Sequence, residues 1–282
     1  MPAYFHLLTA IFFAISSCTT DSPHYPNNIR STITSSNVTA RTIKEISLPA
    51  GFNYAENDDT TYAHWLLDLG LKENRTVYLY NGDLKPDQNV QYGVLDIDIG
   101  KKDLVQCADA VIKLRADFLF SKHRYDGLNF TVTSGDDISF EKWLKGFRWK
   151  EQGSKLMSYK TNIATNNIQI EFDKFMELVF SYCGSYSLSK QLRQVNDINT
   201  IHPGDVFIKG GFPGHAVTVM AVAKNSGGES VFLLSQGYMP AQDIHILKNY
   251  SDPELSPWYR IKDIYPLYTP QWQFEKGSLK RW

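Results

Sequence analysis

The chain has 282 residues, 43% of them hydrophobic and 13% aromatic, which supplies a packed core and excludes global disorder. A formal net charge of −1, with no basic run longer than a pair such as Lys101-Lys102, excludes the cationic surface that nucleic-acid binding requires. Three cysteines, Cys18, Cys107 and Cys183, are too few for a disulfide scaffold, and whether Cys107 and Cys183 pair stays open. Neither a CxxC pair nor an HExxH motif occurs and the remaining histidines are scattered, so no metal and no cofactor is implied.

Residues 7–15, LLTAIFFAI, form a compact apolar run followed by Ser16, Ser17 and Cys18. The run is too short to span a bilayer and predicts a signal peptide over residues 1–17. The order Ile15-Ser16-Ser17-Cys18 resembles a bacterial lipobox. That resemblance implies cleavage before Cys18, a lipid on Cys18 and a membrane-anchored lipoprotein of the cell envelope; the alternative is an ordinary secretory signal cut nearby. Residues 19–42 are rich in Ser, Thr, Asn and Pro without apolar period. Residues 18–42 are thus expected to be the lipid-attachment site and a flexible tether, and residues 43–282 a single globular domain.

In chain order, residues 59–70 predict a helix capped by Asp59 or Thr60 and ended by Gly70. Residues 77–80 and 90–98 predict short strands. Residues 103–120 predict the central helix, with Asp103 as N-cap and Gln106 completing a capping box. Residues 128–132 predict a strand and 140–144 a short helix, while 147–170 carry no clear pattern. The run 171–183 predicts an amphipathic helix with Gly184 as its left-handed cap, and 188–195 a short helix. Strands follow near 206–209, 216–222, 231–236 and 244–247. Helices first and a β meander last predict an α+β fold, the central helix packed on an antiparallel C-terminal sheet.

The stretch IHPGDVFIKGGFPGHAVTVM (201–220) places His215 at the start of an apolar strand, after a Gly-Pro loop. Asn225-Ser226-Gly227-Gly228 predicts a hairpin turn that sets position 217 opposite 236. His215 and Gln236 then become diagonal neighbours on one face. A catalytic histidine needs a partner that fixes its proton, and Gln236 and Asp243 are the candidates. Cys107, near the start of the central helix, is the candidate nucleophile. The competing readings are a core cysteine, a rim histidine bonded to a carbonyl, and a glutamine bridging two strands. Asp109 is expected on a solvated face, paired with Lys113. Trp143, Phe147, Arg148 and Trp149 either line a sugar or peptide groove or fill a small secondary core.

The helix-borne Cys107, the GDVF and GHAVTV strands and Gln236 on the next strand resemble the papain-like hydrolases of the NlpC/P60 and CHAP amidase type. That resemblance implies a papain-like fold and a cysteine hydrolase acting on an amide or peptide bond, such as a cell-wall peptide. Cys107 would be the nucleophile, His215 the base and Gln236 its orienting partner. Over nearly the whole mature chain, the runs VLDIDIGKKDLVQCADAVIKLRADFLF, GDVFIKGGFPGHAVTV and LLSQGYMPAQDIHILKN resemble the bacterial family known as domain of unknown function forty-eight forty-six. That family implies an envelope lipoprotein and no particular reaction. The alternative function is a non-catalytic envelope lipoprotein that binds glycan or a protein partner.

Overall fold

The computed structural model describes residues 40–54, 61–162, 167–262 and 264–282. Cys18, the signal segment and the caps expected at Asp59 and Thr60 lie outside the described residues. The elements run β1 (Phe52–Tyr54), α1 (Tyr62–Leu67), β2 (Gln91–Val94), α2 (Cys107–Ser121), β3 (Asn129–Thr131), β4 (Asp137–Ser139), α3 (Phe140–Leu144), β5 (Phe147–Gln152) and β6 (Lys155–Lys160). They continue with α4 (Ile168–Tyr182), α5 (Ser185–Gln191), β7 (Arg193–Gln194), β8 (Val206–Lys209), β9 (His215–Asn225), β10 (Ser230–Gln236) and β11 (His245–Leu247). The C-terminal segment adds β12 (Tyr259–Arg260), β13 (Leu267–Thr269), β14 (Trp272–Phe274) and β15 (Leu279–Arg281).

Helices and strands mix in the fold, and its centre is a large antiparallel sheet in the order β2-β11-β10-β9-β8-β15-β7, with β1 joined to β9 and β12 to β10. Both faces are covered. On one face Leu66 of α1 and Ala110 and Leu114 of α2 pack on Met220, Ala221 and Leu233. On the other, Val217, Val219, Phe232 and Leu234 pack under Ile264, Leu267 and Phe274 of the C-terminal segment. The far side of α2 forms a third cluster with β3, β4, α3 and α4, through Phe118, Phe130, Phe140, Phe172 and Phe175. Each such side chain, fully withdrawn from water, contributes about 1.5–3 kcal/mol.

The β9–β10 ladder contains the feature that positions the site. Near the turn Ser230 faces Lys224 and Leu233 faces Ala221, but beyond a bulge Leu234 faces Val219 and Ser235 faces Thr218. The bulge puts one extra residue, Met220, into β9. One step further along the ladder Gln236 lies beside Val217, so His215 and Gln236 share a face. Without the extra residue they would project from opposite faces, because side chains alternate along a strand.

Several expectations are corrected. Asp103 does not cap α2: the helix starts at Cys107 with Gln106 as N-cap, and Asp109 accepts from the Gln106 amide at 3.2 Å. The Asp103 carboxylate instead takes the Gln106 side-chain amide (3.0 Å) and the Ala241 backbone amide (2.7 Å). Gly184 is the N-cap of α5, with an extended φ of −172°, and not a left-handed cap of α4. Residues 77–80 make only isolated bridges, Tyr78 to Leu84 and Leu79 to Gln242. Residues 147–160, which showed no clear pattern, form the β5–β6 hairpin. There Trp143 and Trp149 stack at 6.4 Å while Arg148 lies 3.7 Å above the Trp143 ring and pairs with Glu171, so this aromatic cluster fills a secondary core.

The Asp of the GDVF run is structural. Asp205 is buried and paired with Arg281 through both carboxylate oxygens, at 2.6 and 2.7 Å. Its second oxygen also accepts the His202 amide at 2.9 Å. The pair ties the chain end to the turn before β8.

Candidate active site

His215 opens β9 and is buried among the rings of Tyr238 (5.3 Å), Trp272 (5.3 Å) and Phe274 (5.9 Å between centroids). Its Nε2 lies 3.0 Å from Gln236 Oε1. Gln236 Nε2 in turn meets Gln271 Oε1 at 2.8 Å and His245 Nε2 at 3.3 Å, and His245 Nδ1 lies 2.9 Å from the Asp243 carbonyl. This chain fixes its own polarity. A carbonyl only accepts, so His245 carries its proton on Nδ1 and offers a lone pair at Nε2. That lone pair requires the amide nitrogen of Gln236, which turns the Gln236 oxygen to His215. His215 therefore donates from Nε2 and keeps its lone pair on Nδ1. Among the described residues Nδ1 makes no hydrogen bond, as a base awaiting a proton should.

Both rings are held neutral. Burial lowers the His215 pKa to about 4, against a smaller upward pull from the Gln236 hydrogen bond. Burial likewise lowers that of His245 to about 4, with the Asp243 carbonyl opposing it.

Cys107 is the first residue of α2 and is partly exposed. Its sulfur faces the backbone amides of Ala108, Ala216 and Cys107 itself, and Ala216 is the residue after His215. The helix lies over the Ala216 face of β9, whereas the His215 ring lies on the Val217 face, so thiol and ring lie on opposite faces at the start of the strand, related through the adjacent residues His215 and Ala216. Among the described residues no hydrogen bond joins them. Burial first, and Asp109 second, push the thiol up to about 11, and the amides only partly offset this. The resting pair is thus a neutral thiol and a neutral imidazole, not the thiolate that a helix N-terminus alone would favour. Tyr238 lies between the two sides: its ring packs on His215, and its hydroxyl is near enough to Cys107 for each group to disfavour ionisation of the other.

Gly237 makes this approach sterically feasible. A Cβ at that position would lie 2.9 Å from the Gln106 carbonyl oxygen and 3.0 Å from Ala110 Cβ. Glycine lets the end of β10 press against the first turn of α2.

The remaining candidates are placed elsewhere. Asp243 orients nothing with its carboxylate, which is held by Lys72 (2.9 Å) and the Tyr78 amide (3.0 Å); its carbonyl does the work, through His245. Asp109 is buried, not solvated, and Lys113 pairs with Asp117 instead, at 3.0 Å. Burial holds the Asp109 carboxyl well above its usual range, and its Oδ1 has no partner among the described residues. Cys183 is free, as is Cys107; its thiol donates to the Thr131 carbonyl at 3.6 Å, and burial pushes it up to about 12. No group of three or more His, Cys, Asp or Glu among the described residues is placed to hold a metal ion. A cleft of about 490 Å³ opens beside Asp243, lined by Lys72, Tyr80, Asn81, Asp98 and Lys101, and neither Cys107 nor His215 lines it.

Sequence reasoning missed His245, Gln271, Tyr238 and Trp272. His245 had a signal, because it lies directly opposite Gln236 once β10 and β11 are paired. Gln271 and Trp272 come from a C-terminal turn with no local mark of its destination.

The family described as Domain of unknown function (4846) matches residues 43–281, and the chain belongs to that family. No curated protein and no solved structure matches the chain. No helix among the described residues is long and apolar enough to cross a membrane.

Proposed function

We propose that this member of the domain of unknown function 4846 family is a papain-like cysteine hydrolase of the cell envelope, lipidated at Cys18, that cleaves an amide or peptide bond, with cell-wall peptide as the expected substrate class. The observation that carries the reading is the Gln236-fixed tautomer of His215, with its free Nδ1 at the strand end where the next amide, Ala216, faces the Cys107 sulfur.

In this reading the Cys107 thiol gives its proton to His215 Nδ1 as the sulfur attacks the substrate carbonyl carbon. The oxyanion forms beside the Cys107 and Ala108 amides at the start of α2, which face the sulfur in the resting site and have no partner within the helix. The C–N bond then breaks, the leaving nitrogen takes the proton from Nδ1, and a thioester remains on Cys107. Water, losing a proton to Nδ1, attacks the thioester; the acid leaves and the thiol is restored. Because the resting pair is neutral, proton transfer accompanies attack and does not precede it.

One observation favours a second reading, a non-catalytic lipoprotein that binds glycan or a protein partner: thiol and ring share no hydrogen bond, and their proton affinities hold both neutral. The test is hydrolysis of a panel of cell-wall peptides and amides, followed by product mass. The hydrolase reading predicts turnover that Cys107→Ser abolishes. Binding without turnover, unchanged in Cys107→Ser, supports the second reading.

A further inference from the structure

The two most exposed large apolar side chains among the described residues both lie close in the chain to residues of this site. Phe212 is 93% exposed and Met239 is 63% exposed. Phe212 stands three residues before His215, and Met239 directly follows Tyr238, whose ring packs on the imidazole. Single exposed apolar residues need no explanation, but two at one site, each more exposed than any other large apolar residue described, do.

Their exposure is imposed by anchored backbone. In the Phe212 loop the Gly211 carbonyl accepts from Ser185 Oγ at 3.1 Å. A Cβ on Gly210 would fall 2.2 Å from Ser189 Oγ, and one on Gly214 would fall 2.2 Å from Ser185 Oγ. The loop is clamped onto α5, and the ring between the clamps points out. In the Met239 loop, Tyr238 is packed on His215 and the Ala241 amide is tied to Asp103 at 2.7 Å. Each loop thus holds one apolar side chain in water within a few residues of His215 or of the Tyr238 ring packed on it.

We propose that Phe212 and Met239 form an apolar rim that receives a hydrophobic chain carried next to the scissile carbonyl, so that the substrate is an amide bearing an acyl chain or a large apolar side chain. This rests on the hydrolase reading and deepens it. A chain laid across the rim would shield two side chains that none of the described residues covers and bring its carbonyl to Cys107.

The test compares two thiol-directed chloromethyl ketones, one with a decyl and one with an ethyl chain, on the full chain, with the Cys107 adduct read by peptide mapping. The expected result is about tenfold faster labelling by the decyl reagent, each buried methylene adding to the binding. In the double variant Phe212→Ser, Met239→Ser the ratio of the two rates falls to about one, whereas Met157→Ser, on the exposed hairpin, leaves it unchanged. A ratio near one in the wild type, or a preference that survives the double variant, overturns the rim. Loss of binding to phosphatidylglycerol vesicles in the double variant, with the chain preference intact, also overturns it and makes the pair a membrane contact. If neither reagent labels Cys107 until the chain is unfolded, the hydrolase reading falls, and the rim with it.

Discussion

The two faces of the sheet at the end of β9 are built on opposite terms. On the His215 face, Gln236 spends its oxygen on one histidine and its amide on Gln271 and a second histidine, so the proton positions are fixed. On the α2 face, Asp109 keeps one buried oxygen without a partner among the described residues, and the Cys107 thiol faces the backbone amides of Ala108, Ala216 and Cys107 itself. In the proposed hydrolase one side would serve as a pre-oriented base and the other as a nucleophile held in its neutral form. The contrast teaches that the orientation of His215 is built into the fold, whereas on the proposed reading activation of Cys107 waits for the encounter with substrate.

The largest expected effect breaks the oriented side. Gln236→Leu removes the oxygen that holds the His215 proton on Nε2, and the proposed hydrolysis should fall on the order of 10²-fold. Nitrogen chemical shifts of His215 would show a mixture of tautomers, an outcome that mere destabilisation does not produce.

Next comes acid sensitivity, also on the His215 face. His215 and His245 are both depressed to about 4 from the ordinary value near 6.5. A depressed pKa gives stability that is present above about pH 6.5 and lost as the pH falls through about 4, on the order of 3 kcal/mol per ring. Urea melts from pH 7.5 to 4 should show this loss, and His245→Asn should flatten part of it. A flat profile in the wild type would mean that the rings are already accessible to protons.

Gly237→Ala probes the contact between the faces. The added Cβ meets a carbonyl oxygen at 2.9 Å, so about 2 kcal/mol of stability should be lost. If melting is unchanged, α2 is not pressed against β10.

The smallest effect has the opposite sign and belongs to the α2 face. A raised carboxyl pKa gives stability that is full below the unfolded value and lost as the pH rises toward the folded one. Asp109→Asn keeps an oxygen for the Gln106 amide and removes that loss, so it should stabilise the chain at pH 7 and leave it unchanged at pH 3. Destabilisation at pH 7 would show that the carboxylate is charged and needed.

Much of this contrast was legible in the sequence, for identifiable reasons. The strand at 206–209 follows from four residues bounded by Gly204 and Gly210, and the helix at 140–144 from its Ser139 cap, whose oxygen accepts the Lys142 amide. The 217–236 register was reached by a compensation. The turn closes one residue later than expected, and the bulge at Met220 restores the phase. No residue type announces such a bulge, since Met220 and its neighbours are ordinary strand formers. The start of α2 was misplaced because Asp103 and Gln106 offer a plausible capping box. The box one turn later is the one formed, and it brings Cys107 to the helix end. The satisfied half of the site depends on His245 and Gln271, which reach Gln236 only through long-range pairing.

The most direct test of the central claim is the alkylation rate of Cys107 from pH 4 to 10, in the wild type and in His215→Ala, with Cys183→Ser in both. The account predicts a folded-state thiol that reacts at pH 7 through base assistance, a rate about 10²-fold lower without the imidazole, and a gap that narrows toward pH 10 as thiolate forms unaided. Equal rates at pH 7, or a Cys107 that reacts only once the chain unfolds, would contradict it.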